Sequence, residues 1–190
     1  MPAYEVSKIV YWGNTHILSD EKSRDALVDI IDNGPKNKLE CTQTQTSITR
    51  YGVTATYDKE NGIVTLNGSH ITSDSAAIFE FYSGNASDQR VIPPGTYHMS
   101  GCPSGGSTSS YRASLSTISG GVDTGNGAVF TISESKYLAY RILISGNCTF
   151  NNMVFKPMVC PEELYKISDA FQPYRPSYQE LYEMVKALQS

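Results

Sequence analysis

PPGTYHMSGCPSGGS, residues 93–107, states the architecture of this chain most plainly. Pro94 fixes φ near about −65° and Gly95 tolerates positive φ, a pairing suited to the two central positions of a type II turn. A strand is expected to follow. Tyr97 and Met99 fall to one side of it and Thr96, His98 and Ser100 to the other, the period-2 pattern of a half-buried strand. Gly101 and Pro103 end it, and the SGGS beyond reads as a flexible loop with no side chain suited to chemistry. Turn, strand, turn is the unit that recurs along most of the chain.

Working outward toward the N-terminus, residues 76–82 alternate, with Ala77, Phe79 and Phe81 on one face and Ile78, Glu80 and Tyr82 on the other. Residues 52–57 and 63–66 form a hairpin around DKENG, in which Gly62 occupies a position that can take positive φ. Toward the C-terminus, strands are expected over residues 111–118, 128–132, 137–145 and 149–159. In the third of these, Leu138, Tyr140, Ile142 and Ile144 point inward and Tyr137, Arg141 and Ser145 outward, the pattern of a central strand. About eight strands between residues 50 and 160, at this spacing, predict an antiparallel β-sandwich of jelly-roll type.

The flanks differ. Residues 9–12 and 15–18 read as short strands around Gly13-Asn14, and residues 20–32 as a helix closed by Asn33-Gly34-Pro35. A polar stretch over residues 36–49 reads as linker. Three parts follow: an attachment segment over residues 1–36, the sandwich over 37–160, and a connector with a C-terminal amphipathic helix over 161–190. In that helix Tyr178, Leu181, Val185 and Leu188 recur at spacings of 3, 4 and 3, an oligomer or docking stripe too short to stand alone.

Composition narrows the function. The chain has 190 residues with 15 Lys and Arg against 19 Asp and Glu, a net charge of −4, and no basic cluster, which argues against a nucleic-acid partner. Thirteen Tyr beside one Trp, with 18% charged residues, suits strands and turns. No apolar run approaches the ~18–20 residues of a membrane span, and residues 1–20 lack a basic region followed by an apolar core, so synthesis in the cytoplasm without a signal peptide is expected. Cys41, Cys102, Cys148 and Cys160 form no CxxC and have no His at ligand spacing, so neither a metal nor another cofactor is predicted. Nor is an enzyme. His16, His70 and His98 stand apart, HExxH, GxSxG and P-loop motifs are absent, and Asp88 and Asp123 read as loop and turn residues. Glu80 alone offers a mid-strand outward carboxylate, whereas a glycosidase pairs two.

Strand alternation leaves Glu80, Tyr82, His98, Arg112, Tyr137 and Arg141 pointing away from the apolar set. On neighbouring strands they would make a shallow face of cations, one acid and two rings, suited to a hydroxyl-rich ligand such as a glycan. Outward polar residues on any sandwich give a similar roll, and cross-strand pairing alone favours exposed Tyr.

The opening stretch, DTGNGAVFTIS at residues 123–133, TFNNMVFKPMV at 149–159 and AFQPYRPSYQELYEM at 170–184, taken in order, resemble a family of bacteriophage and prophage structural proteins. In that family a carbohydrate-binding-module-like jelly roll is attached to tail, fibre or baseplate components. The resemblance covers roughly residues 37–185. It implies a virion protein, made in the host cytoplasm, that decorates or extends a tail, fibre or head fibre. Its implied partners are other virion proteins (capsid, tail or baseplate) and surface glycans; the C-terminal stripe adds an expected homo-oligomer, with a trimer favoured. A dedicated glycan-binding adhesion module is the alternative, and a glycan-degrading enzyme is weaker. The sugar-holding residues of such relatives match no motif here, so none is carried over. Residues 1–36 fall outside the match and are expected to attach to capsid or tail.

Overall fold

The computed structural model describes residues 37–39, 45–71, 75–80 and 91–174. Strands β1 (Ser47–Arg50), β2 (Val53–Asp58), β3 (Ile63–His70) and β4 (Ala77–Glu80) come first, then β5 (Val91–Ile92), β6 (Gly95–Ser100), β7 (Tyr111–Leu115) and β8 (Val122–Asp123). They are followed by β9 (Ala128–Ile132), β10 (Lys136–Tyr137), β11 (Tyr140–Ile144), β12 (Cys148–Phe155), β13 (Met158–Pro161) and helix α1 (Glu162–Ile167). The protein is mainly β, and every ladder is antiparallel.

Three larger sheets run in the orders β1-β2-β3-β12, β4-β11-β7-β8 and β13-β6-β9, with β10-β5 as a two-stranded pairing. Strands distant in sequence lie side by side, β12 against β3 and β11 between β4 and β7. Their inward residues meet in one core. Val53, Leu66 and Phe155 come from the first sheet, Phe79, Ile142 and Ile144 from the second, and Met99, Phe130 and Val159 from the third. Across sheets, the Tyr111 ring of β7 meets Phe150 and Phe155 of β12 edge-on, with centroids 5.9 and 6.1 Å apart. Each such side chain, fully buried, contributes about 1.5–3 kcal/mol.

Several expectations are corrected. Thirteen strands stand among the described residues where about eight were expected, because two-residue pairings such as β5 with β10 are too short to carry a period. Gly95 does not adopt positive φ; it already pairs with Ile132 in β6. Its lack of a side chain serves the Tyr97 ring, which a Cβ would approach to 3.2 Å and whose hydroxyl donates to the Pro93 carbonyl at 2.9 Å. The SGGS loop is packed: a Cβ on Gly106 would lie 2.7 Å from the Tyr111 carbonyl, and the Tyr111 hydroxyl donates to Ser104 O at 2.7 Å. Strand 111–118 stops at Leu115, whose N–H turns to Gly121 O at 2.8 Å.

The strand expected over 149–159 is two, β12 and β13, divided where Lys156 N–H donates to Gly101 O at 2.9 Å. The register of β12 shifts between Phe150 and Met153, where Asn152 takes φ 53°. The linker stretch contains β1, and residues 37–39 are buried in the body. The connector contains α1, too short to show helical periodicity. The hairpin turn holds as read, with Gly62 at φ 65°, and β11 is central in its sheet. The expected elements over residues 1–36 and the stripe of Tyr178, Leu181, Val185 and Leu188 lie outside the described residues.

Where the chain enters and leaves this body, one side chain joins the two ends. Asn37 is buried, and its Nδ2 donates to Pro157 O and to Gln172 O, each at 3.0 Å, while its Oδ1 accepts from Leu39 N and Val159 N. Pro173 then packs over Gly62 in the β2–β3 turn.

Candidate functional site

The predicted face divides in two. Register places Arg141 of β11 between Glu80 of β4 and Ser114 of β7, and Leu143 between Ile78 and Arg112. Because side chains of one strand alternate between faces, Glu80, Arg141 and Arg112 emerge on the same outward side, with Ile78 and Leu143 among them. Arg141 Nε donates to Glu80 Oε2 at 2.8 Å. Arg112 Nη1 is held by Thr108 O at 2.7 Å and Ser145 Oγ at 2.8 Å.

Both cations are thus oriented by the protein itself. A half-exposed ion pair of this kind contributes little to stability. It does present fixed donors and acceptors of the sort a hydroxyl can meet. Tyr137 is in β10, paired with Val91 rather than with this sheet, and its ring is partly exposed; its carbonyl accepts from Thr117 Oγ1 at 3.0 Å. Tyr82 lies outside the described residues.

His98 is not part of the face. It sits in β6, in another sheet, and is 8% exposed because α1 covers it. The Tyr165 ring stacks on the imidazole at 3.5 Å and 6°, and Glu162 Oε2 lies 3.1 Å from Nδ1. Alternation had sent His98 outward correctly, but outward on this strand means beneath the helix. A His oriented by a carboxylate is half of a proton-transfer device. Here Nε2 finds no hydrogen-bond partner among the described residues and abuts Gly127, where a Cβ would come within 2.2 Å of it. Through its Glu162 and Tyr165 contacts His98 fastens α1 to β6. A shallow depression of about 450 Å³ is lined by His98 itself with Glu162, Tyr165, Lys166 and Asp169.

Asp123 is more than a turn residue. It is 1% exposed, and its carboxylate accepts from Cys102 N at 2.8 Å, Gly125 N at 2.7 Å and Gly127 N at 2.8 Å, tying the SGCPSGG loop to the DTGNG turn. Beside it, burial first and then the Asp123 charge push the Cys102 thiol up to about 12, which makes it inert. Among the described residues no three His, Cys, Asp or Glu side chains are grouped to hold a metal, and no helix is long and apolar enough to cross a membrane.

Comparison with known proteins finds no match. No family model, no curated protein and no solved structure matches this chain. The phage resemblance rests on its quoted motifs.

Sequence reasoning passed over Asn37, Glu162 and Tyr165. Nothing in a lone Asn foretells four bonds across the molecule, but Glu162 and Glu163 directly after Pro161 were a legible helix start.

Proposed function

We propose that this chain is a structural module of a bacteriophage particle, a jelly-roll body attached through its two flanking segments, with contact to surface glycans as a further duty of the same body. The observation that carries this reading is the Asn37 clasp, which joins the chain at Asn37 to the chain at Gln172. The described chain therefore has Asn37, near its start, and Gln172, near its end, side by side, an arrangement suited to fixing a body at one pole and leaving the rest of its surface outward. Support for a non-catalytic role comes from the single carboxylate, Glu80, on the described outward face of β4, β11 and β7, where glycoside hydrolysis uses two.

The test is mass spectrometry of purified particles from cells that make the chain. Its peptides in fixed ratio to a capsid or tail protein would support the reading, and their absence from particles would refute it. Sedimentation of the full chain against one ending at Tyr174 tests the self-assembly expected of the Tyr178, Leu181, Val185 and Leu188 stripe. A monomer in both removes the trimer.

Glycan adhesion as the main duty is favoured by one observation, the outward juxtaposition of Glu80, Arg141 and Arg112 on adjacent strands. Binding on a glycan array that is lost in Arg141→Ala and weakened in Glu80→Gln would support it. Silence across cell-wall glycans leaves the attachment role alone.

A further inference from the structure

Arg112 and Arg141 stand diagonally on the outward face of β7 and β11, Arg141 opposite Ser114 and Arg112 opposite Leu143. Each guanidinium is turned by the protein, and each keeps an open edge. Both N–H groups of Arg112 Nη1 are taken, by Thr108 O at 2.7 Å and Ser145 Oγ at 2.8 Å, which leaves the Nε and Nη2 edge without an acceptor among the described residues. Arg141 gives its Nε to Glu80 Oε2 at 2.8 Å, so its two Nη groups are left, and beside them Glu80 Oε1. Each open edge carries two parallel N–H donors. One carboxylate or phosphate fills such a fork in a bidentate pair, whereas a hydroxyl fills only part of it.

Charge favours the same class of ligand. Glu80 and Arg141 cancel one another, while Arg112 has no carboxylate at ion-pair distance among the described residues, so this face keeps one net positive charge. The two edges are also separate stations. Ser145, which draws the Arg112 group along the sheet, lies four residues beyond Arg141, about 13 Å of extended chain. A small ion cannot fill both, but a chain with oxyanions on spaced repeats can.

We propose that this face takes an oxyanion-bearing glycan, a polymer with a carboxylate or phosphate on spaced sugar or polyol units, an inference that rests on the glycan-contact reading of the same face. One oxyanion docks on the Arg112 fork and another on the Nη edge of Arg141, and Glu80 Oε1 accepts a hydroxyl beside it. Nucleic acid, with a charge about every 3.4 Å of strand, matches two stations so far apart less well.

Calorimetric titration of the full chain with an oligogalacturonate, its methyl ester and a poly(glycerol phosphate) tests this. The acid sugar or the phosphate polymer is expected to bind about tenfold or more tighter than the ester, and whichever does so identifies the oxyanion. Arg112→Lys, which keeps the charge and loses the fork, is expected to forfeit about the same factor. Equal affinity for acid and ester would overturn the proposal and leave glycan contact standing. Binding of none of the three would overturn it too, and silence across cell-wall glycans as well would remove glycan contact with it. Tighter binding of a single-stranded oligonucleotide would also overturn it. Should Arg112→Lys not fold, the wild-type Arg112 Nε–H resonance decides: it is expected to shift with the oxyanion probe and not with the ester, and an unmoved resonance overturns the proposal.

Discussion

Replacing Asp123 by Asn keeps the shape of a buried side chain and removes its charge. The carboxylate accepts two N–H groups on Oδ1, from Gly125 and Gly127, and one on Oδ2, from Cys102. An amide serves the first two best by turning its NH₂ toward Cys102. That bond is lost and a buried N–H is left facing another donor, at a cost of about 1.5–3 kcal/mol. The two surviving bonds fall from charge-assisted to neutral, about 1 kcal/mol each, while relief from burying a charge returns part of the total. The net loss is about 2–4 kcal/mol, or a fall in Tm of about 5–15 °C for a chain of this size.

Asp58 supplies the control. It too accepts three bonds, from Glu60 N, Asn61 N and Asn61 Nδ2, but at an exposed turn. The Asn61 side chain, ahead of its backbone N–H, holds the Asp58 carboxyl below its ordinary value of 3.8. What the turn gains is present near neutrality and fades only as pH falls through that lower value. Asp58→Asn should scarcely move the melting curve. Calorimetry of both variants is the assay. A fall of less than about 3 °C for Asp123→Asn, or equal falls for the two, would refute the claim that burial decides what these bonds are worth.

Gly101→Ala should cost at least about 2 kcal/mol in urea unfolding, because φ is 115° and the new Cβ would stand 2.0 Å from the Lys156 carbonyl oxygen. Gly120→Ala, at φ 85° with open space around it, should cost only about 1 kcal/mol; equal losses would show that φ alone sets the penalty. In alkylation of the native protein at about pH 8, Cys148 should be modified well before Cys102, whose thiol is pushed up to about 12 and buried. Peptide mapping that finds Cys102 labelled as fast would contradict the packing around Gly106.

The parts of this fold that the sequence made legible are those carried by alternation. Residues 128–132 were placed to the residue, and Tyr140, Ile142 and Ile144 point inward as read, because a two-faced strand writes its burial into its own period. The β12 bulge was visible in principle. Phe150, Met153 and Phe155 are spaced 3 and then 2, which no regular strand can turn to one face. What escaped was set by distant partners. Whether an outward residue meets solvent or another element depends on what crosses above it, and His98 lies under a helix that begins 64 residues later. Of the candidate face, alternation found Glu80, Arg112 and Arg141; it had no means of knowing that Tyr137 pairs with β5 rather than with their sheet.

The Asn37 clasp also governs how the molecule bears load. If both flanking segments are anchored, tension between them enters at Asn37 and leaves at Gln172, and the direct link between those two is one amide bond of 3.0 Å, with further bonds passing force to Pro157 and Val159. A pull that opened the clasp would also load the Lys38–Val159 bond next to it. The clasp is therefore a first mechanical latch: while it holds, force has a short path between the two ends, and once it opens the covalent chain delivers the load to the strands.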